Sequence, residues 1–375
     1  QPRAGTGHAN RNIKPMHIGI PKEIKNHEYR VALTPAGTAS LVAAGHRVTI
    51  EHNAGYAVGM DDDAYRAAGA DITKHAAAVF DCDLIVKVKE PQAVEVARLR
   101  SGQLLFCYLH LAPAPELACA LMARGVSAIA YETVADSHGA LPLLLPMSEI
   151  AGRLAPQMGA QALHMAHGGN GVLVNGMPGV APARICIIGA GVVGLNATRV
   201  AVGLGAHVTL LDRQHDKLAY AESLFGARLE TCFSTPDSIA SSLAMADIVI
   251  GAAQIPGRHA PRLISRGLLQ RMAPGSALVD VAIDQGGIAE TSRPTTHSDP
   301  MYVAEGVVHY CVANMPGAVA RTATLALTHA TLPYIQRLAD LGLDAVEVDP
   351  GLRLGLQIHA GEITHAGLKQ EISGC

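Results

Sequence analysis

The feature that most constrains this chain is a glycine motif placed between a strand-like run and a helix-like run. The strand-like run 184–188 (RICII) leads into 189–194 (GAGVVG), which has the spacing G-x-G-x-x-G. A second apolar run, 207–211, ends at Asp212, about 20 residues beyond the motif. The order strand, glycine turn, helix, strand and acid predicts a βαβ unit that binds the pyrophosphate of a dinucleotide at a helix N-terminus.

The individual residues of the motif account for this prediction. Gly189 permits the tight turn, Gly191 lets the backbone approach the pyrophosphate, and Gly194 allows the helix to pack closely on the strand. Asp212 can accept hydrogen bonds from the adenosine ribose hydroxyls, which favours NAD over NADP. The simpler alternative, a glycine-rich turn without a ligand, leaves the strand, helix and acid around it unexplained.

Strand-like and helix-like runs alternate along the chain, which predicts an α/β fold with parallel sheets and crossover helices. We expect strands at 17–20, 47–51, 84–88, 103–108, 128–131, 184–188, 207–211, 247–250, 277–283 and 307–311. We expect helices near 35–44, 62–68, 92–100 and 115–124, and a further helix from Ser148, as its N-cap, to about Ala166. Residues 318–375 have a mostly helical pattern and are expected to pack back on the first α/β unit.

Composition argues against several classes of protein. Of the 375 residues, 49% are hydrophobic and 16% are charged, with a net charge of -3, which disfavours a disordered chain and a nucleic-acid-binding surface. No apolar run reaches the ~18 residues that a membrane-spanning helix needs.

The 7 cysteines lack C-x-x-C or zinc-type spacing, which predicts a reducing, cytoplasmic compartment and no metal site. Residues 1–15 are polar and are expected to be a tag remnant or a disordered leader.

Four polar residues are candidates for the chemistry of the site. Lys89, His110 and Asp284 follow strand-like runs, and Arg30 lies in a charged stretch after the first strand. Ligands bind at the carboxyl ends of parallel strands in open α/β sheets, so this edge is where we expect a site. Two cations can bind a carboxylate and a carbonyl oxygen, and a histidine with an aspartate can transfer protons. A reaction of an amino or keto acid requires both functions.

Each candidate also has an ordinary structural explanation. Arg30 can be a solvated loop residue, and Lys89 can simply close a strand. His110 can be a hydrogen-bonded core histidine, and Asp284 can belong to the turn before two glycines. The residue pattern alone leaves these alternatives open.

Longer segments of the chain resemble one family. In order, they are IPKEIKNHEYRVALTP (20–35), LIVKVKEP (84–91), LLFCYLHLA (104–112), AYETV (130–134), GALPLLLPMSEIAGRLA (139–155), IGAGVVG (188–194), VDVAIDQGG (279–287), SRPTT (292–296) and CVANMPGAV (311–319). They resemble alanine dehydrogenases, within the alanine dehydrogenase/pyridine nucleotide transhydrogenase superfamily. The resemblance runs from Met16 to about Pro333 and is looser beyond it.

The resemblance implies an architecture and an activity. It implies two Rossmann-like domains with parallel sheets and a cleft between them. The substrate-binding domain would be discontinuous, spanning 16–142 and 321–375, and the NAD-binding domain would span 143–320. The implied reaction is the reversible oxidative deamination of L-alanine to pyruvate and ammonium with NAD. The implied assembly is a cytoplasmic homohexamer without nucleic-acid or membrane partners.

The family's site residues carry over to matching positions of this sequence. Arg30 and Lys89 are implied to bind the substrate, with Arg30 as a two-donor fork on the carboxylate. His110 and Asp284 are implied to be catalytic. The implied cofactor contacts are Ser148, Gly189, Gly191, Gly194, Asp212, Lys217, Ser234, Val281, Asp284, Arg293, Asn314 and Met315.

Three related functions remain as alternatives. One is the soluble NAD-binding subunit of a proton-translocating transhydrogenase, and another is a lysine-forming saccharopine dehydrogenase, whose first segment is similar. The third is a non-catalytic NAD-sensing module. The presence of both His110 and Asp284, without a membrane-length apolar run, favours the dehydrogenase.

Overall fold

The computed structural model describes residues 15–253 and 259–372. The described residues up to Leu144 and those from Ala320 onward form a first unit, and the described residues from Leu145 to Val319 form a second. The leader expected at 1–15 lies outside the described residues except for Pro15. Within the described ranges, no helix is both long enough and apolar enough to cross a bilayer.

The elements are numbered in chain order. The strands are β1 (His17–Ile20), β2 (Arg47–Glu51), β3 (Asp71–Thr73), β4 (Leu84–Val86), β5 (Leu104–Cys107), β6 (Ser127–Ala130), β7 (Arg184–Ile188), β8 (His207–Asp212), β9 (Leu229–Phe233), β10 (Ile248–Gly251), β11 (Ala277–Asp280), β12 (Met301–Ala304), β13 (Val307–Tyr310), β14 (Leu356–His359) and β15 (Glu362–Ile363). The α-helices are α1 (Pro35–Ala43), α2 (Asp62–Ala67), α3 (Ala76–Phe80), α4 (Ala93–Val96), α5 (Pro115–Arg124), α6 (Leu145–Ala162), α7 (Val192–Gly203), α8 (His215–Phe225), α9 (Pro236–Met245), α10 (Arg266–Leu269), α11 (Ala320–Leu341), α12 (Ala345–Val348), α13 (Pro350–Gly355) and α14 (Ala366–Glu371).

The sheet of the first unit has the order β15-β14-β6-β5-β4-β1-β2-β3. Strands β1 to β6 pair in parallel, whereas β14 pairs antiparallel with both β6 and β15. The chain builds outward from β1 through β2 and β3, and then returns to place β4 on the other side of β1. The carboxyl ends of β1 and β4 therefore form a topological switch point, where ligands bind in open α/β sheets.

The sheet of the second unit has the order β12-β13-β11-β10-β7-β8-β9. All neighbours pair in parallel except β12, which lies antiparallel to β13 at one edge. The switch point of this sheet lies between β7 and β10, and β7 is the strand that precedes the glycine motif. Two mainly parallel sheets with crossover helices confirm the predicted α/β class.

The last part of the chain is less helical than predicted. Strands β14 and β15 form a hairpin on the edge of the first sheet, and His359 pairs with Glu362 across its turn. The two turn residues, Ala360 and Gly361, both have positive φ values of 50° and 83°, as a two-residue type I′ turn requires. Alanine is unusual at such a position, so the sequence lacks the Asn-Gly or Asp-Gly signal that announces this kind of hairpin. The edge strands β3, β9 and β12 were also not predicted.

Three predicted boundaries in the second unit were wrong. Strand β11 ends at Asp280 rather than at Ile283, because the Asp280 side chain caps a 3₁₀ helix over Val281–Gln285. Helix α6 begins at Leu145, so Ser148 lies in its first turn and is not its N-cap. The helix ends at Ala162, and Ala166 belongs to a separate 3₁₀ turn.

The helix predicted over 92–100 was also too long. Helix α4 covers only Ala93–Val96, and a reciprocal capping box between Gln92 and Glu95 closes its first turn. The Glu95 side chain of this short helix is buried and pairs with Lys87.

Candidate active site

Three elements of the first unit bring candidate residues to the carboxyl edge of its sheet. Lys89 follows β4, His110 follows β5, and Arg30 lies on the segment between β1 and α1. Strands β1, β4 and β5 are adjacent in the sheet. The positions match the expectation for a ligand site at the end of parallel strands.

Arg30 is buried rather than solvated, with 2% of its surface exposed. Its Nε donates to Glu28 Oε1 at 2.7 Å, and its Nη2 donates to Glu28 Oε2 at 2.6 Å. Burial disfavours the charged guanidinium, but the bond and charge of Glu28 outweigh it and raise the pKa of Arg30. The fork formed by Nε and Nη2 is thus engaged by Glu28, and a substrate carboxylate could use that fork only by displacing Glu28.

The two lysines after β4 have different environments. The Lys87 side chain is 0% exposed, and its Nζ donates to Glu23 Oε2 at 3.0 Å and to Glu95 Oε1 at 2.9 Å. Burial opposes the charge of Lys87, but the two carboxylates hold its pKa above the usual value. Burial raises the pKa of Glu23 despite the charge of Lys87. Lys89 is half-buried, so it is the lysine of this pair with access to a small ligand.

His110 stands in an unusual backbone conformation at the end of β5. Its φ is +47°, and its side chain is 42% exposed, so it is not a core histidine. Glu132, just after β6, accepts the backbone N–H of His110 at 2.6 Å and that of Leu109 at 3.2 Å. The Nδ1 atom of His110 lies 3.9 Å from Glu132 Oε1, and the imidazole lies parallel to the Tyr108 ring with centroids 5.9 Å apart. Glu132 therefore holds the strand end that presents the histidine.

The glycine turn of the second unit has the geometry of a dinucleotide cradle. Gly189 has a φ of +107°, and a Cβ on it would lie 2.8 Å from the backbone of Ala252. A Cβ on Gly194 would lie 1.8 Å from the carbonyl oxygen of Gly189, so only glycine permits this helix–strand contact. A Cβ on Gly191, the N-cap of α7, would meet no atom within 4 Å. The space above that helix N-terminus is open, which fits the approach of a pyrophosphate.

Asp212 ends β8 and is connected to the glycine turn. Its Oδ2 accepts the N–H of Ala190 at 2.7 Å, and its Oδ1 accepts the N–H of Gln214 at 2.9 Å. The N–H of Ser234 donates to the Asp212 carbonyl at 2.9 Å, which brings Ser234 to the same strand end. Lys217 is partly buried in the first turn of α8. The carboxylate predicted to bind ribose is thereby oriented by the backbone of the loop predicted to bind phosphate.

Asp284 lies in the 3₁₀ helix after β11, where its side chain is exposed. The neighbouring Asp280 is 1% exposed and organises this segment. Its carboxylate accepts hydrogen bonds from the N–H of Ala282 at 3.2 Å, the N–H of Ile288 at 2.8 Å and the hydroxyl of Ser292 at 2.5 Å. Burial raises the pKa of Asp280, against the effect of these donors. Asp280 thus holds both ends of the loop that carries Asp284.

The remaining cofactor candidates lie on loops near β12 and β13. The Arg293 guanidinium lies 4.0 Å from the centroid of the Tyr302 ring, and its backbone N–H donates to the Tyr302 hydroxyl at 3.0 Å. Asn314 has a φ of +65°, and its carbonyl accepts from His297 Nε2 at 3.1 Å. Met315 is buried at the start of a 3₁₀ helix. Cation–π stacking fixes the direction of the arginine.

Comparison with known proteins identifies the family. Residues 19–151 match the family model described as "Alanine dehydrogenase/PNT, N-terminal domain", and residues 155–366 match "Alanine dehydrogenase/PNT, C-terminal domain". The chain belongs to the alanine dehydrogenase/PNT family. The predicted resemblance is therefore confirmed, and membership implies a pyridine nucleotide cofactor.

Relatives within the alanine dehydrogenase/PNT family match nearly the whole chain. "Alanine dehydrogenase" of Halomonas elongata is 53% identical over 95% of this chain and 96% of its own length. "Alanine dehydrogenase" of Bacillus subtilis is 50% identical over 95% of each chain. A solved "L-alanine dehydrogenase" matches with a TM-score of 0.92 and 49% identity, covering 95% of this chain and 99% of its own. The structure of a transhydrogenase from Sinorhizobium meliloti matches with a TM-score of 0.78 and 28% identity, covering 93% of this chain and 99% of its own.

The sequence patterns did not predict the acidic residues that position the candidate site residues or the segments that carry them. They are Glu23, Glu28, Glu132 and Asp280. Two of them carried a usable signal. Glu132 follows the apolar run of β6, at the same edge as His110, and Asp280 sits inside an apolar run where an isolated carboxylate requires donors.

Proposed function

We propose that this protein is an NAD-dependent L-alanine dehydrogenase. It converts L-alanine, NAD⁺ and water to pyruvate, ammonium, NADH and a proton, and it also catalyses the reverse reaction. The observation that carries this proposal is the near-full-length identity of about half with alanine dehydrogenases of separate organisms. The geometry supports it, because the cations and the histidine expected of such a site lie at one strand edge of the first unit.

The two units have separate tasks in this proposal. The first unit binds the substrate, and the second binds the nucleotide at the end of β7 and β8. Asp212 binds the adenosine ribose and makes NAD the preferred nucleotide, since a 2′-phosphate would bring a second anion to the same place. The other nucleotide contacts are Ser148, Gly189, Gly191, Gly194, Lys217, Ser234, Val281, Asp284, Arg293, Asn314 and Met315.

Arg30 and Lys89 bind the small anionic substrate. When bound, the nicotinamide nucleotide accepts the Cα hydride of alanine. Arg30 supplies a permanent positive charge for the carboxylate, held in place by Glu28. Lys89 donates to the carboxylate or to the carbonyl oxygen of pyruvate, which polarises that carbonyl.

His110 and Asp284 move the protons. The ammonium group of alanine first loses a proton, and loss of hydride then leaves an iminium on the substrate. Water adds to it and loses a proton, and the resulting carbinolamine collapses to pyruvate and ammonia, which takes up a proton to become ammonium. His110 exchanges the proton on the carbinolamine oxygen, because an imidazole can both accept and donate a proton. Asp284 positions the amine or the water. The His110 side chain is 42% exposed, which is consistent with access to a substrate.

We also propose that the protein is a cytoplasmic homohexamer without nucleic-acid or membrane partners. The net charge of -3 and the absence of a charge block support the last two points. Light scattering coupled to size exclusion tests the assembly.

The second candidate is hydride transfer between two nicotinamide nucleotides. The similarity to the Sinorhizobium meliloti transhydrogenase favours it as the alternative. One assay separates the two: NADH formation with L-alanine and NAD⁺, NADH loss with pyruvate and ammonium, and reduction of a thio-analogue of NADP⁺ by NADH. The dehydrogenase proposal expects the first two activities. Transfer to the analogue without alanine turnover would overturn it.

A further inference from the structure

A buried ammonium joins three segments of the first unit. Lys87, just after β4, donates to Glu23 from the segment after β1 and to Glu95 from α4, and all three side chains are at most 2% exposed. Removing one partner of a buried ion pair is costly because it leaves an uncompensated charge. With two carboxylates on one ammonium, either glutamate can be neutralised while Lys87 keeps an ionic partner.

The two glutamates are chemically matched but hold different backbone groups. Each uses one carboxylate oxygen for Lys87 and the other for a backbone N–H at 2.7 Å. Glu95 accepts the N–H of Gln92 and so closes the first turn of its own helix. Glu23 instead accepts the N–H of Val88, the residue directly before Lys89.

Val88 also connects the end of β4 to the neighbouring strand end. Its carbonyl accepts the N–H of Tyr108 at 3.1 Å, two residues before His110. Glu23 therefore fixes the N–H of the residue directly before Lys89, and the carbonyl of that same residue is bonded to the segment that carries His110. The segment that begins at β1 and contains Glu23 continues to Arg30.

We propose that Glu23 is a positioning residue for the reaction, acting through the Val88 N–H to place Lys89 against the substrate. Glu95 shares the charge of Lys87 without this role. The inference rests on the proposed function, because it needs Lys89 to contact the substrate.

The pair Glu23→Gln and Glu95→Gln tests the proposal. Glutamine has one acceptor oxygen, so each variant must lose either the bond to Lys87 or the bond to its backbone N–H. In Glu23→Gln we expect the amide oxygen to stay on the charged Lys87, because hydrogen bonds to charged donors are stronger, and the amide NH₂ then faces the Val88 N–H and frees it. Misplacement of a contact by about 1 Å can cost roughly 10²-fold in rate. We expect kcat/KM for pyruvate to fall about 10²-fold in Glu23→Gln and less than about threefold in Glu95→Gln. NADH affinity, measured by fluorescence titration, should be unchanged in both.

A double-mutant cycle with Lys89 distinguishes positioning from a general loss of stability. If Glu23 acts through Lys89, then Glu23→Gln should add no further loss in a Lys89→Ala background, because coupled residues are not additive. Thermal denaturation of each variant measures the structural effect separately. Should Glu23→Gln fail to fold, Glu23→Asp keeps the charge on Lys87 while shortening the reach, and the same kinetic contrast with Glu95→Gln applies.

Wild-type turnover of pyruvate and ammonium is measured first. Its absence would overturn the proposed function and this inference with it. With an active wild type, equal losses in the two glutamine variants, no loss in Glu23→Gln, or additive losses with Lys89→Ala would each overturn the inference alone. A selective, non-additive loss in Glu23→Gln would support it.

Discussion

The carboxyl edges of the two sheets are held together by different kinds of interaction. In the first unit, buried cations are paired with carboxylates. Arg30 is paired with Glu28, and Lys87 is paired with Glu23. In the second unit, the loops are shaped by glycines and by carboxylates that accept neutral donors, as Asp280 accepts the Ser292 hydroxyl and two backbone N–H groups.

This difference follows from what each edge is proposed to bind. A small molecule with one carboxylate needs fixed cations, and buried cations need carboxylates to offset the cost of leaving water. A dinucleotide pyrophosphate is bound by backbone N–H groups at a helix N-terminus, which requires close approach and therefore glycine. Variants in the first unit should accordingly alter substrate kinetics, and variants around Asp212 should alter nucleotide choice.

The largest expected effect is at His110. We expect His110→Ala to lower the turnover of pyruvate and ammonium about 10²–10⁴-fold, the usual contribution of general acid–base catalysis. NADH binding, followed by fluorescence, should stay at the wild-type value because the residue belongs to the first unit. His138→Ala, which changes an exposed histidine of the same unit, is the matched control. Near wild-type turnover in His110→Ala would remove His110 from the mechanism.

A smaller effect is expected at Arg30. Arg30→Lys keeps the charge but cannot reproduce the planar pair of donors that binds Glu28. Without the bonds to Glu28 the cation is no longer held in place for the substrate carboxylate, and loss of one or two charge-assisted hydrogen bonds to that carboxylate corresponds to a rise of about 10–100-fold in the KM for pyruvate. Lys89→Ala should likewise weaken substrate more than nucleotide.

The control for Arg30 is a surface arginine of the same unit. Arg47→Lys alters an exposed ion pair with Asp71, which contributes little. Steady-state kinetics with pyruvate as the varied substrate measure both variants. An unchanged KM in a folded Arg30→Lys enzyme would contradict the proposed carboxylate contact.

The smallest effect on the overall rate is expected at Asp212. Its substitution is also the most direct test of nucleotide binding by the second unit. Asp212→Ala removes the repulsion of a 2′-phosphate but also the proposed ribose hydrogen bonds and the bond to the Ala190 N–H. We expect weaker use of NAD together with measurable use of NADP, lowering the NAD/NADP ratio of kcat/KM by at least about tenfold. Arg213 is exposed beside the site, and Asp212→Ala with Arg213→Ala should lose the new NADP activity. An unchanged ratio in the single variant would place nucleotide specificity elsewhere.

Much of the second unit could be predicted because its signals are local. The glycine motif, the helix after it and Asp212 lie within one βαβ segment, where each step depends on near neighbours in the chain. The same holds for the strands at His17–Ile20, Arg47–Glu51 and Arg184–Ile188, whose predicted bounds agree with the structure. The boundary at Asp280 was missed because an apolar run continues past it, while a side-chain cap ends the strand.

The sequence by itself determined the α/β class, the alanine dehydrogenase/PNT family and the residue types available for chemistry. Only the tertiary structure decided which of those residues are buried and what holds them. Lys87 and Lys89 are indistinguishable in the run VKVKE, yet the former is enclosed by Glu23 and Glu95. Glu23 is separated from Lys87 by 64 positions. No local pattern encodes such a contact, because parallel strands brought together by long crossovers place distant residues side by side.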